Sequence, residues 1–310
     1  MPQSNKIAGV THRILIAILL AAIGLGIGAF AWHAEDAARA EKLRKRTALL
    51  IPANAAVHET DHYRVHYTSM AQQAALVGSA VEKLYAAYVS VFPQPASAPS
   101  SKLILVLYKD RAEFKSNNRS SQWAEAYYLP PGCYAYFDSA AENPYHWMLH
   151  EATHQLSRQM SGFRRNRWID EGLASYFSTS KLDADGLQLG MLDPKAYPVW
   201  WLGHFRLSGD PARDFAAGKF LPIEVLLTGR GGPSVEMKFN LYYVDAWSLT
   251  HFMFHYEHGK YAQAYKQFLA KGASLEDFVA LIGPLEKIQA EWYPYLQAQS
   301  LSQPEPFPLP

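Results

Sequence analysis

The pentapeptide His150-Glu151-Ala152-Thr153-His154 constrains this chain more than any other feature. Residues four apart on an α-helix share a face, with Cβ atoms roughly 5–6 Å apart, so both imidazoles can reach one ion at about 2.0–2.1 Å. A fold that uses the motif must therefore lay this helix along a cleft. Glu151 is turned about 100° from His150 by the 3.6-residue period, where it can take a proton from bound water without itself binding the ion. A chain with 12 histidines can also reach this spacing by chance, which leaves two core histidines satisfied by hydrogen bonds as the other reading.

The flanking residues favour a helix. Asn143-Pro144 reads as an N-cap with proline at the first helical position, and no further Pro or Gly occurs up to Met160. Trp147, Leu149, Ala152, Leu156 and Met160 are expected to form its buried side. Catalytic zinc usually takes three protein groups and keeps one position for water, so a third ligand is needed. Glu171, within Trp168-Ile169-Asp170-Glu171-Gly172-Leu173-Ala174-Ser175-Tyr176-Phe177, follows His154 after 16 residues. That length lets the first helix end near Ser161-Gly162 and a second helix return antiparallel to it. Gly172 and Ala174 suit close packing between the two. Without the histidines, Glu171 would read as an acidic residue in a first helical turn, favoured there by the helix dipole.

His150-Glu151-x-x-His154 followed by Trp168-x-x-Glu171-Gly172-x-Ala174-x-Tyr176 resembles the gluzincin peptidases, and most of all the bacterial peptidase-MA-like domains. The likeness is specific from Asn143 to Phe177. Beyond it, Tyr242-Tyr243-x-x-Ala246-Trp247-x-x-x-His251-Phe252 looks like the helix that follows in such domains. The resemblance implies a zinc-dependent peptide hydrolase with one Zn2+ held by His150, His154 and Glu171, and Glu151 as base. Aminopeptidases of the related group carry a glutamate-containing segment that holds the substrate's free amine. Pro131 to Asp138 stands in that region without such a glutamate, which favours an endopeptidase or a specialised hydrolase. Ser175 stands where thermolysin-like enzymes place an aspartate that orients a zinc histidine. Tyrosine and histidine commonly serve gluzincins as oxyanion donors, which makes Tyr242, Tyr243, His251 and His255 candidates. Tyr243, Trp247 and His251 also form one helical stripe that could equally be core.

With 310 residues, 49% of them hydrophobic, the chain can bury a substantial core. Its net charge is +1, and leaving out Lys6 and Arg13 brings 27 basic against 28 acidic residues, so wholesale nucleic-acid binding is not indicated. Cys133 is alone, which excludes an internal disulfide and disfavours a thiolate zinc site. Ile14 to Trp32 is uncharged throughout and long enough to cross a roughly 30 Å hydrocarbon layer. Behind the n-region 1–13, it reads as a transmembrane signal anchor or a signal peptide, with Ala29-Phe30-Ala31 as a cleavage site in the second case. Arg39, Lys42, Arg44, Lys45 and Arg46 beyond it oppose export under the positive-inside rule. The expectation is nevertheless a membrane-anchored protein with its catalytic domain outside the cytoplasm.

Residues 33–57 read as a charged juxtamembrane helix and linker, and 58–300 as the peptidase domain. An alternating strand is expected at His62 to Tyr67, a helix from Met70 to Val91, a buried strand from Lys102 to Tyr108, and a strand at Tyr134 to Phe137. In gluzincins such a strand lies beside the cleft and can pair with an extended substrate. Leu182 to Pro233, rich in Gly, Pro and aromatics, reads as a lid or as packing between two halves. Helices are expected at Asn240 to Tyr256, Tyr261 to Leu269, Leu275 to Ile282 and Pro284 to Gln297, with a Pro-rich tail over 301–310. The fold class is α+β: a small mixed or antiparallel sheet on the metal-binding helix, then a mainly helical second half. The expected activity is hydrolysis of peptide bonds by activated water with Glu151 as general base. A metal-containing, non-hydrolytic envelope protein that binds peptides or a partner, or an amidase of cell-wall peptides, are the alternatives.

Overall fold

Leu103–Tyr108 carries an apolar or aromatic side chain at every position, the pattern of a strand covered on both faces, and it forms the middle of a mixed sheet. In the computed structural model, which describes residues 50–93, 101–164 and 166–302, five strands build this sheet. They are β1 (Ala56–Glu59), β2 (Tyr63–Tyr67), β3 (Leu103–Tyr108), β4 (Ala126–Leu129) and β5 (Gly132–Tyr136). Their order is β1-β2-β3-β5-β4, with β2, β3 and β5 parallel and the two outer strands antiparallel to their neighbours. Register aligns Val65, Leu105 and Cys133 across the three central strands, all buried. Helix α1 (Ala71–Val91) connects β2 to β3, and the short α2 (Arg111–Asn117) precedes β4.

The chain then turns helical. Helices α3 (His146–Gln159) and α4 (Arg167–Ser178) are followed by a hairpin of β6 (Ser180–Leu182) and β7 (Leu187–Leu192). After a 3-10 turn at Val199–His204 come α5 (Pro211–Ala216), α6 (Ile223–Thr228), α7 (Phe239–His255), α8 (Ala262–Lys271), α9 (Leu275–Leu281) and α10 (Leu285–Leu301). Pro52 onward forms one compact unit, with helices making up about half of the described residues. The α+β class with a mixed sheet agrees with expectation. Helix α3 packs on β4, β5 and α1, while α4 lies between α3 and α7.

Several local expectations need correction. Asn143 does not cap α3: its Oδ1 accepts from the Tyr145 amide at 3.2 Å and its side-chain amide donates to Asp193 at 2.8 Å, so it closes the preceding turn. The helix starts at His146, two residues later than Pro144. The strand near Tyr134 is interior, because β3 and β4 occupy both of its edges. The sheet edge beside α3 belongs to β4. Strand β1 begins at Ala56, within the span read as linker, and Leu182 to Pro233 holds β7 and three short helical segments as well as loops. The span Ile14 to Trp32 and the tail from Gln303 lie outside the described residues. Among the described residues no helix is long and apolar enough to cross a membrane.

Gly172 sets the spacing between α4 and α7. A Cβ there would lie 2.8 Å from the Ala246 carbonyl oxygen and closer still to Thr250 Oγ1, both on α7. Overpacking of this kind costs about 1–3 kcal/mol, so Gly172→Ala is expected to lower stability by that amount in chemical denaturation. Unchanged stability would refute so close an approach.

Candidate metal centre

Apolar side chains orient α3 before any polar group acts. Leu149, Ala152 and Leu156 are fully buried, with Trp147 and Met160 partly so, and this leaves His150 and His154 on the side that meets α4. Two glutamines fasten the helix to the sheet. Gln155 Nε2 donates to the carbonyls of Ile104 at 3.2 Å and Pro131 at 2.7 Å, and Gln159 Nε2 donates to Pro131 at 2.8 Å. Between them in sequence, Arg158 stands one turn beyond His154. Its guanidinium pairs with Asp170 and donates to the Phe163 carbonyl, which ties the first turn of α4 to the last turn of α3.

Glu171, next to Asp170, is thereby held against the motif. Its Oε2 lies 3.2 Å from His150 Nε2 and 3.6 Å from His154 Nε2, and the two imidazole centroids are 5.0 Å apart. Three donors bound to one ion at about 2.0–2.1 Å in tetrahedral array would be separated by about 3.3–3.4 Å. The observed spacings fall on either side of that value, so these residues fit a metal ion. Donor atoms of His150, Glu151 and His154 also lie within 4.8 Å of one another, a group that could hold such an ion.

Charges in the centre respond to each other. Burial works against the ionised form of Glu171, but the two imidazoles, His154 foremost, hold its carboxyl well below the usual range. Burial likewise depresses His154, yet the Glu171 carboxylate outweighs it and raises the imidazole to about 9. Glu151 is pushed upward by burial despite the neighbouring histidines, and it shares a hydrogen bond with the backbone of Tyr128 on β4. His146, one turn before His150, is buried with Nδ1 3.3 Å from the Ser178 carbonyl oxygen; burial first and then His150 lower it to about 3.

Of the candidates on α7, only Tyr243 reaches this centre. Its ring lies 6.2 Å from that of His150 at an interplanar angle of 18°. Burial, then the Glu171 carboxylate with which it shares a hydrogen bond, raises its hydroxyl well above 10. The other three have partners elsewhere. His251 meets Tyr295 Oη at 2.6 Å and the Gly190 carbonyl at 3.2 Å, His255 Nε2 lies 2.9 Å from Tyr176 Oη, and Tyr242 donates to the Pro233 carbonyl at 2.9 Å. Ser175 is buried with its hydroxyl unpartnered among the described residues, so it does not orient a histidine.

One residue of the centre had no signal in the sequence. Tyr197 packs its ring 5.3 Å from Tyr243 and donates to Asn240 Oδ1 at 3.0 Å, and burial followed by Glu171 raises its hydroxyl. It lies in an irregular segment at no fixed spacing from either motif.

A family model described as a protein of unknown function, DUF1570, matches residues 146–274. The match begins at the first residue of α3 and takes in His150, Glu151, His154, Glu171, Tyr197 and Tyr243. No curated protein matches the chain.

Groups that orient metal ligands typically contribute 10–100-fold to affinity. If the centre holds a divalent metal, Arg158→Met is expected to weaken its binding by about that factor with the helical circular dichroism retained. Unchanged affinity in a competition titration would reduce the Arg158–Asp170 pair to a surface contact.

Proposed function

We propose that this protein is a zinc-dependent hydrolase of peptide bonds of the gluzincin type, with His150, His154 and Glu171 holding one Zn2+ and Glu151 serving as general base. The observation that carries the reading is the spacing of the Glu171 carboxylate from both imidazoles, 3.2 and 3.6 Å, with a second buried carboxylate left over beside them. When bound, zinc supplies Lewis acidity and makes water a stronger acid.

The remaining chemistry belongs to side chains. Glu151 takes the proton of the attacking water and passes it to the leaving nitrogen. Its burial supports that role, since an upward shift makes a carboxylate a stronger base nearer neutral pH. Tyr243, kept protonated by burial and by the Glu171 charge, holds a hydroxyl donor at the centre that can turn from Glu171 to stabilise the oxyanion. An extended substrate can add to the sheet along β4, whose outer edge no strand occupies among the described residues. The backbone N–H of Tyr128, donating to the Glu151 carboxylate, sets the base beside that strand. Tethering through Ile14 to Trp32, with the domain outside the cytoplasm, completes the proposal and rests on that uncharged stretch alone.

Metal analysis and cleavage of a broad peptide library test the reading on the full chain purified in mild detergent. Wild type is expected to carry one zinc and to cleave. Glu151→Gln should keep the metal and lose roughly 10²–10⁴-fold in rate, whereas Glu171→Ala should lose the metal. Absence of zinc from wild type, or occupancy indifferent to Glu171→Ala, would sink the centre; zinc without cleavage would turn the protein into a binding protein. Tyr243→Phe is expected to lower kcat by about 10²–10³-fold at constant zinc content, and a change in KM alone would remove Tyr243 from oxyanion stabilisation.

A further inference from the structure

Among the described residues, Trp123, Trp200 and Phe239 are the only Phe or Trp side chains that stand exposed, at 72%, 48% and 44%. They come from three separate loops and helix ends, yet all belong to one line of rings that passes the metal centre. Trp123 stacks on Phe239 at 6.1 Å, and Phe239 meets Tyr243 edge-on at 6.5 Å. Tyr243 lies along His150 and packs on Tyr197, and Tyr197 contacts Trp200 at 5.9 Å and Trp147 at 5.8 Å. Two arms therefore lead away from Tyr243, one to Trp123 and one to Trp200.

Keeping such rings in water forgoes the gain of burying them, about 25 cal/mol for each Å². Core packing explains the middle of the line, where Tyr197 is buried, and leaves both ends unexplained. The stacked pair Trp123 and Phe239 at one end and Trp200 at the other are exposed apolar surface that a partner can cover, and ring faces favour other rings in stacked or edge-on contact. The Trp200 arm also ends at a cavity of about 350 Å³ walled by Trp147, Trp200, Pro194 and His146. Ligand pockets run from about 300 to 1,000 Å³, and at the lower end of that range this one has room for a large apolar side chain. The charges on its rim, Glu142 and Lys195, pair with each other at 3.1 Å and leave little to recruit an ionic group.

We propose that the substrate is an extended, unfolded polypeptide segment with aromatic or large aliphatic side chains on both sides of the scissile bond, one arm receiving each. Because both arms end in solvent, the segment continues past them in either direction, which makes the cut internal. The inference rests on the hydrolase reading for cleavage but concerns binding in its own right.

Two quenched peptide libraries of equal length test it, one with Phe, Trp and Leu around the centre and one with Ser, Gly and Gln. The full chain is used in lipid nanodiscs, free of detergent that would compete for apolar surface. Zinc-loaded wild type is expected to cleave the apolar library with a kcat/KM at least about tenfold higher. Trp200→Ala and the double variant Trp123→Ala/Phe239→Ala should each cut that value about tenfold further than they cut the value for polar peptides, mostly through KM and with zinc retained. In a Glu151→Gln background, apolar peptides should quench tryptophan fluorescence, with Kd raised about tenfold by Trp200→Ala. Equal cleavage of both libraries, or variants without selective effect, would overturn the proposal and leave the hydrolase standing. Apolar binding without any cleavage would do the reverse, and neither binding nor cleavage would overturn both.

Discussion

Everything distinctive about this molecule depends on one carboxylate, that of Glu171, held against two imidazoles from another helix. In water such an arrangement would gain little, since exposed ion pairs contribute about 0–1 kcal/mol. Here the groups are largely withdrawn from solvent, and leaving any one of them unpartnered would be costly. The scaffold therefore has to guarantee the meeting. Gln155 and Gln159 fix α3 to the sheet, Arg158 ties the beginning of α4 to α3, and Gly172 lets α4 settle against α7. Each device acts within two turns of His154 or Glu171, so the precision of the centre is set locally and not by the fold at large.

The same geometry explains why Tyr243 and Glu151 have opposite characters. Both are pushed upward by burial, but the result differs with the chemistry of the group. A phenol pushed upward stays a donor at every physiological pH, whereas a carboxyl pushed upward becomes a stronger proton acceptor. One environment thus holds a hydrogen-bond donor and, in the proposed reaction, a base near the same imidazoles.

How much of this was legible beforehand follows from which physical signals are local. The spacing of His150, Glu151 and His154, the small residues after Glu171, and the apolar run of β3 are local patterns, and the structure has a helix, a close helix contact and a central strand at those places. Helices α7 to α10 are long enough for their periodicity to stand out, and they begin within two residues of expectation. Strands β1, β4 and β6 span three or four residues, too few for an alternation to declare itself. The first turn of α3 misled because Asn143-Pro144 has the composition of a cap while Asn143 is engaged by Tyr145 and Asp193. Tyr197 and the two aromatic arms were invisible for another reason. Their alignment exists only after loops far apart in sequence have come together, and no one-dimensional pattern encodes it.

The side chains proposed to hold a metal come from two helices that meet only when the chain is folded. In the unfolded chain His150 and His154 have no carboxylate brought to them, so an ion that binds the complete set distinguishes the folded from the unfolded state. By mass action such an ion adds RT ln(1 + [M]/Kd) to the stability. For the proposed centre, supply of metal in its surroundings would then set how long the folded chain survives, and starvation for the ion would be felt as turnover of the chain.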